Sequence, residues 1–141
     1  MSKIAASDLL LRRGDEPIIV VEAKSLPVQG DFREPVGIQM RLLAEQTHSP
    51  WALLIDPERA QLFRSPDMDH PVAEIPSREI VAAGGFGDAK AVGDSVLTGT
   101  AERWLRQLLQ AMEFVHRYPA LASLADALCP EEEIVSERSY A

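Results

Sequence analysis

Three charged residues near the start of the chain have the types and spacing of a hydrolytic site that uses a metal ion. Asp8 precedes one apolar run, and Glu22 and Lys24 end the next, giving the pattern Asp-x13-Glu-x-Lys. Carboxylates suit Mg²⁺, and a bound metal acidifies water and stabilises charge on a phosphate under attack. A lysine beside the metal offsets negative charge near that phosphate. The pattern therefore indicates metal-assisted phosphodiester hydrolysis.

The residues of this pattern must be positioned by a β-hairpin. Two short runs of strand-forming residues flank the segment RRGDEP, and they are Leu9–Leu11 and Ile18–Val21. Gly14 and Asp15 are typical turn residues, and Pro17 suits the first position of a strand. Apolar runs joined through such a segment predict an antiparallel pair.

The register of this hairpin decides whether the charged residues meet. A turn centred on Asp15 places Asp8 directly across from Glu22, and the Cβ atoms of such a pair lie ~5 Å apart. Lys24 is two residues beyond Glu22, so both side chains project from the same face of the strand. The spacing alone is also compatible with an ordinary hairpin whose charged ends are solvated.

The remaining sequence predicts a mixed α/β domain. Apolar periodicity and breaker residues predict helices and strands at Pro35–Gln46 (helix), Ala52–Ile55 and Ala60–Arg64 (hairpin), Val72–Ile75 (edge strand), Thr100–Arg117 and Pro119–Leu128 (helices). Ser65–Pro71 and the glycine-rich segment Ala82–Ser95 are predicted loops. We expect one domain, with an α/β core over residues 1–98, two C-terminal helices packed on it over 99–130, and a solvated acidic tail over 131–141.

From Ser7 to about Ile80 the chain resembles the PD-(D/E)xK, or restriction-endonuclease-like, nuclease superfamily. The resemblance rests on the segments SDLLL, IIVVEAK, GIQMRLLAEQ and WALLIDPERAQLFR. It is strongest to the amino-terminal nuclease domain of type I restriction subunits and its small stand-alone relatives. The resemblance implies a mixed sheet flanked by helices, and a metal-dependent nuclease that hydrolyses DNA phosphodiester bonds.

The same resemblance implies a role for each residue of the motif. Asp8 and Glu22 match the ligands of Mg²⁺ or Mn²⁺, and the backbone carbonyl of Ala23 matches a further ligand. Lys24 matches the catalytic lysine. Gln39 matches a glutamine on the following helix, which would orient substrate or water.

The chain departs from the family pattern at its beginning. Family members usually have a helix before the first acidic strand, whereas only seven residues precede Asp8 here. Ser7 stands where a proline is usual, and Leu43 where some branches have tyrosine. We therefore expect the leading helix to be short or missing, and a homodimer partner to cover the face of the sheet that it leaves. The alternative function is a catalytically inactive domain of this fold that binds a protein or forms homodimers.

Charge argues against strong non-specific binding to nucleic acid. The 22 acidic residues outnumber the 14 basic ones, giving a net charge of −8. Residues 1–48 are nearly balanced, with 6 basic and 7 acidic residues, so the acidic excess lies downstream of the motif. Non-specific affinity for DNA comes from phosphate neutralisation by Lys and Arg. DNA stays the expected partner of the nuclease, while the charge favours the inactive alternative.

The other chemistry-bearing residues show no ligand or nucleophile pattern. The three histidines, His48, His70 and His116, lack the spacing of a zinc site, and the single cysteine, Cys129, favours a structural role. No apolar run approaches the ~20 residues that span a bilayer. We therefore expect a cytoplasmic protein with no membrane association.

Overall fold

The computed structural model describes residues 8–24, 33–65, 67–83, 94–108 and 112–138. Six strands lie within these ranges: β1 (Leu9–Arg13), β2 (Glu16–Ala23), β3 (Trp51–Ile55), β4 (Arg59–Arg64), β5 (Ala73–Pro76) and β6 (Ile134–Arg138). Five α-helices accompany them: α1 (Arg33–Thr47), α2 (Ser77–Ala83), α3 (Asp94–Arg106), α4 (Met112–Arg117) and α5 (Ala120–Ala127). The strands form one sheet in the order β5-β4-β3-β2-β1-β6. The predicted mixed α/β class is confirmed.

The first hairpin has the register predicted for its inner half. Leu9 pairs with Val21 and Leu11 with Ile19, and then the pairing skips Ile18. The turn contains Gly14 at a φ of 60°, a conformation that glycine adopts without a steric penalty. Near the turn, the pairing differs from the predicted register by one residue. The irregularity at Ile18 restores the predicted register for Leu9 to Leu11.

A parallel crossover brings the ends of two buried strands together. Strand β2 pairs with β3 in parallel, from Ile19 beside Trp51 to Ala23 beside Ile55, and α1 lies in the connection. Strand β3 then pairs antiparallel with β4, and β4 with β5, which forms one edge. The carboxyl ends of β2 and β3 therefore share one end of the sheet, which we call the carboxyl end.

Helices cover both faces of the central strands. Buried residues on the face toward α1, which we call the α1 face, form one cluster: Val20, Met40, Leu43, Ala44, Ala52, Leu54, Phe63 and Met68. The opposite face packs against residues of α2, α3 and α5 in a larger cluster. Burial on both faces explains why IIVV and WALLI are uninterrupted apolar runs instead of alternating ones.

The long helix predicted over Thr100–Arg117 is wrong. Helix α3 ends at Arg106, and the separate helix α4 begins at Met112. Trp104 of α3 and Phe114 of α4 meet edge to face, with ring centroids 5.6 Å apart. Residues 107–111 contain no glycine or proline, so the sequence has no breaker residue that would divide this apolar pattern into two helices.

Residues 131–138, which belong to the predicted solvated acidic tail, form regular structure. Glu131–Glu133 form a short 3-10 turn, and β6 pairs antiparallel along the whole of β1. Ile134 is buried in the larger core cluster. An unpaired β1 would expose backbone donors and acceptors, and β6 satisfies them despite its charged side chains.

The predicted glycine-rich loop Ala82–Ser95 is helical at its beginning and at its end. Helix α2 begins at Ser77 and includes Ala82 and Ala83, which were predicted to start a loop. Asp94 and Ser95, the last residues of the predicted loop, begin helix α3. Residues 84–93 lie outside the described residues, as do residues 1–7, where a short or missing leading helix is expected.

Candidate active site

The residues of the motif gather at the carboxyl end of the α1 face. Val20 belongs to the cluster beneath α1, so alternation along β2 places Glu22 and Lys24 on the same face. Asp8 directly precedes β1, whose first residue, Leu9, pairs with Val21, and the N–H of Asp8 donates to the carbonyl of Val21 on β2. Gln39 reaches this end from α1. The sheet and one helix thus hold all four side chains.

Glu22 is the buried centre of the group. It is 7% exposed, and its Oε2 atom accepts hydrogen bonds from Lys24 Nζ at 3.0 Å and from Gln39 Nε2 at 3.3 Å. A buried carboxylate needs such partners, because burial without them costs several kcal/mol. A solvated hairpin end does not describe this residue.

Asp8 contacts the backbone on both sides of Glu22. Its N–H donates to the carbonyl of Val21 at 3.1 Å, and its Oδ2 atom accepts the N–H of Ala23 at 2.7 Å. The carboxylate of Asp8 therefore lies beside the residue that follows Glu22. The N–H and carbonyl of one strand residue point to the same side, so the Ala23 carbonyl also lies on the Asp8 side of β2.

These oxygen donors fit a hard divalent cation. Two carboxylates and a backbone carbonyl are ligands that Mg²⁺ and Mn²⁺ accept, with water completing the coordination. Within the described ranges no group of three or more His, Cys, Asp or Glu side chains could hold a metal ion. The predicted site uses only two such side chains, Asp8 and Glu22, and depends on the Ala23 carbonyl and solvent for the rest.

A turn after β3 also adjoins this site. The parallel register brings Asp56, just beyond β3, next to Lys24, whose N–H donates to Ile55 at 2.9 Å. Asp56 is 2% exposed, and its Oδ1 atom accepts N–H bonds from Glu58 at 2.7 Å and Arg59 at 2.9 Å. The segment Asp-Pro-Glu was interpreted as a turn only, because a single sequence does not show which strand lies next to it.

Comparisons with known proteins give no match. No protein-family model matches the sequence, no curated protein matches it, and no solved structure matches it. In the part of the chain that is described, none of the helices has the length and apolar character needed to cross a membrane. The candidate function rests on the residues and geometry of this chain.

Proposed function

We propose that this protein is a metal-dependent nuclease of the restriction-endonuclease-like kind, which hydrolyses phosphodiester bonds of DNA. One observation carries the proposal: Asp8, Glu22 and Lys24 converge at one end of a hairpin, and Glu22 is buried there. Burial of a carboxylate is costly, and a bound cation would offset that cost together with the ammonium of Lys24. Such an arrangement is typical of functional sites.

Asp8, Glu22 and the carbonyl of Ala23 are the groups that would hold Mg²⁺ or Mn²⁺. The bound metal supplies a more acidic water and charge stabilisation at the phosphate. Hydrolysis then forms one phosphorus–oxygen bond from water and breaks another, leaving a phosphate monoester and a hydroxyl end.

Lys24 and Gln39 would neutralise the charge of the phosphate and orient the carboxylate of Glu22, respectively. Lys24 is 31% exposed in its side chain while bonded to Glu22, so its ammonium lies where it can offset the charge of an attacked phosphate. Gln39 donates to the same Glu22 oxygen and fixes the orientation of that carboxylate from α1. Gln39 is thus a positioning residue in this proposal, and the DNA or water that it was predicted to orient would lie beside Glu22.

The test is cleavage by purified protein of single- and double-stranded DNA with Mg²⁺ or Mn²⁺. We expect Asp8→Asn, Glu22→Gln and Lys24→Ala each to lower the cleavage rate by about 100-fold or more, as loss of a charge-stabilising group does. Glu16→Gln is the matched control, because Glu16 is an exposed carboxylate at the other end of the same strand. Cleavage that survives all three site substitutions would contradict the proposal.

A second candidate is a catalytically inactive domain that binds a protein or forms a homodimer. Ile38 and Leu42 favour it: they lie one turn apart on α1 and are 51% and 43% exposed. Exposed apolar residues at this spacing form a stripe that a partner can cover. Sedimentation at rising concentration tests the homodimer, which Ile38→Glu would dissociate. A monomer at every concentration would contradict it.

A further inference from the structure

The sheet continues the candidate site across two more strands. Paired positions run from Glu22 to Leu54, then to Gln61 and to Glu74. Closer to the carboxyl end, the next laterally adjacent positions are Lys24, the turn residue Asp56, and Arg59 on β4. Neighbouring strands lie about 4.8 Å apart, so the backbones of Lys24 and Arg59 are about 10 Å apart. Two cations therefore stand along the carboxyl end.

Arg59 lies on the same face as the candidate site. Phe63 packs beneath α1, and side chains alternate along β4, so Gln61 and Arg59 face that way too. The backbone N–H of Arg59 donates to Asp56 Oδ1 at 2.9 Å, which holds the first residue of β4 in the turn. The side chain is 28% exposed. The fold thus fixes the backbone of Arg59 and leaves part of its guanidinium accessible.

The contacts of the guanidinium leave room for an anionic ligand. Its Nη1 atom lies 3.5 Å from Glu74 Oε2, longer than the 2.7–2.9 Å of a strong charge-assisted hydrogen bond. The same Glu74 oxygen accepts a hydrogen bond from Gln61 at 2.8 Å. Half-exposed ion pairs of this kind contribute about 0–1 kcal/mol, so a phosphate can compete with Glu74. A guanidinium binds phosphate through two parallel hydrogen bonds.

We propose that Arg59 binds a backbone phosphate of the nucleic acid strand whose scissile phosphate lies at Asp8, Glu22 and Lys24. The inference rests on the proposed function, and it adds a residue that defines the substrate as a polynucleotide. A separation of about 10 Å between the two backbones is compatible with two neighbouring phosphates of one strand.

Arg12 provides a matched control within the same fold. It also lies on the α1 face, since it alternates with Leu10, and it pairs with Glu137 on a neighbouring edge strand at 3.1 Å. Its side chain is 26% exposed, nearly the same as that of Arg59. It lies near the turn of the hairpin, at the opposite end of β1 from Asp8. The two arginines thus share a face of the sheet and a similar exposure, but Arg12 lies away from the site and also donates to the carbonyl of Gly14 at 2.7 Å.

The experiment measures anisotropy of a fluorescent single-stranded oligonucleotide with Ca²⁺ replacing Mg²⁺, at several salt concentrations. Arg59→Ala should weaken binding about 10-fold and lower the log–log salt slope by about 0.7, the value for one phosphate contact. Arg59→Lys should keep most of the slope, and Glu74→Gln should tighten binding. Arg12→Ala should change neither quantity. Equal effects of Arg59→Ala and Arg12→Ala, or no binding by the wild type, would overturn the inference.

Cleavage assays separate this inference from the proposed function. With an oligonucleotide, Arg59→Ala should raise KM about 10-fold. With bis(p-nitrophenyl) phosphate, a diester with a single phosphate, its rate should equal that of the wild type. Cleavage that needs Lys24 but not Arg59 would overturn the role of Arg59 alone. Binding that needs Arg59, in a protein that never cleaves, would uphold this role and overturn the nuclease.

Discussion

Glu22 and Glu102 are both largely buried carboxylates of this fold, but they are neutralised differently. Glu102 on α3 accepts hydrogen bonds from Arg138 at 2.8 Å, from Arg106 at 3.4 Å and from the hydroxyl of Ser136. Arg106 also bonds Glu131, so two guanidinium groups face two carboxylates. The partners of Glu22 include the ammonium of Lys24 and the amide of Gln39, and the carboxylate of Asp8 bonds the N–H of the next residue, Ala23.

The difference separates a structural cluster from a candidate cation site. The groups around Glu102 balance in charge, and they hold β6 on α3 through the carbonyl of Ile134 as well as through side chains. Asp8, Glu22 and Lys24 together carry two negative charges and one positive charge. Two carboxylates beside one ammonium favour a bound cation, whereas the side chains named around Glu102 balance in charge.

The largest expected difference between the two clusters is in catalysis. Glu22→Gln should lower the rate of DNA cleavage by about 100-fold or more, because the amide no longer carries the charge that holds the metal. Glu102→Gln should leave the rate unchanged, because Glu102 acts only on the strand β6. Rates on one labelled oligonucleotide measure both. Equal losses would show that the two clusters do not differ in function.

For stability, we expect the substitution at Glu102 to have a larger effect than the substitution at Glu22. Glu102→Ala removes the carboxylate that pairs with Arg106 and Arg138, and we expect it to lower the free energy of unfolding by about 2 kcal/mol. Glu22→Gln keeps the shape of the side chain and should cost less. Urea unfolding measures both variants. A larger loss for Glu22→Gln would mean that the Glu22 cluster is the more important structural one.

The pH dependence of stability should also distinguish Glu102. Burial raises its pKa, but hydrogen bonds from Ser136, Arg138 and Arg106 and the charge of Arg138 outweigh this and lower the pKa below its ordinary value of 4.5. A lowered pKa in the folded state stabilises the protein above pH 4.5, and this contribution is lost as the pH falls through the folded value. The wild type should therefore lose its advantage over Glu102→Gln below pH 4.5. A constant difference between pH 7 and pH 3 would contradict this.

The smallest effect is expected at Arg12, which pairs with an exposed carboxylate. Glu137 is 61% exposed in its side chain, and such surface pairs contribute about 0–1 kcal/mol. Arg12→Ala should change the free energy of unfolding by less than about 1 kcal/mol and leave cleavage unchanged. A thermal melt measures the change in stability, and the cleavage assay measures the rate. A larger effect on either quantity would contradict the expectation that this ion pair is a minor surface contact.

The sequence predicted most of what positions the site. Apolar runs and turn residues gave both hairpins and helix α1, because these elements are decided by local patterns. The pairing of β6 with β1 depends on residues 125 positions apart, as the contact between Arg12 and Glu137 does, and no local pattern reports it. The position of Arg59 beside the site depends on the parallel pairing of β2 and β3, which a single sequence does not show.

Binding of Mn²⁺, followed by the electron paramagnetic resonance of the free ion, tests the central claim most directly. We expect one Mn²⁺ site in the wild type, lost in Asp8→Asn and in Glu22→Gln. Lys24→Ala should keep the site, because the ammonium is not a ligand and its removal takes away a repelling charge. Mn²⁺ binding that is unchanged in both carboxylate variants, or absent from the wild type, would contradict the account.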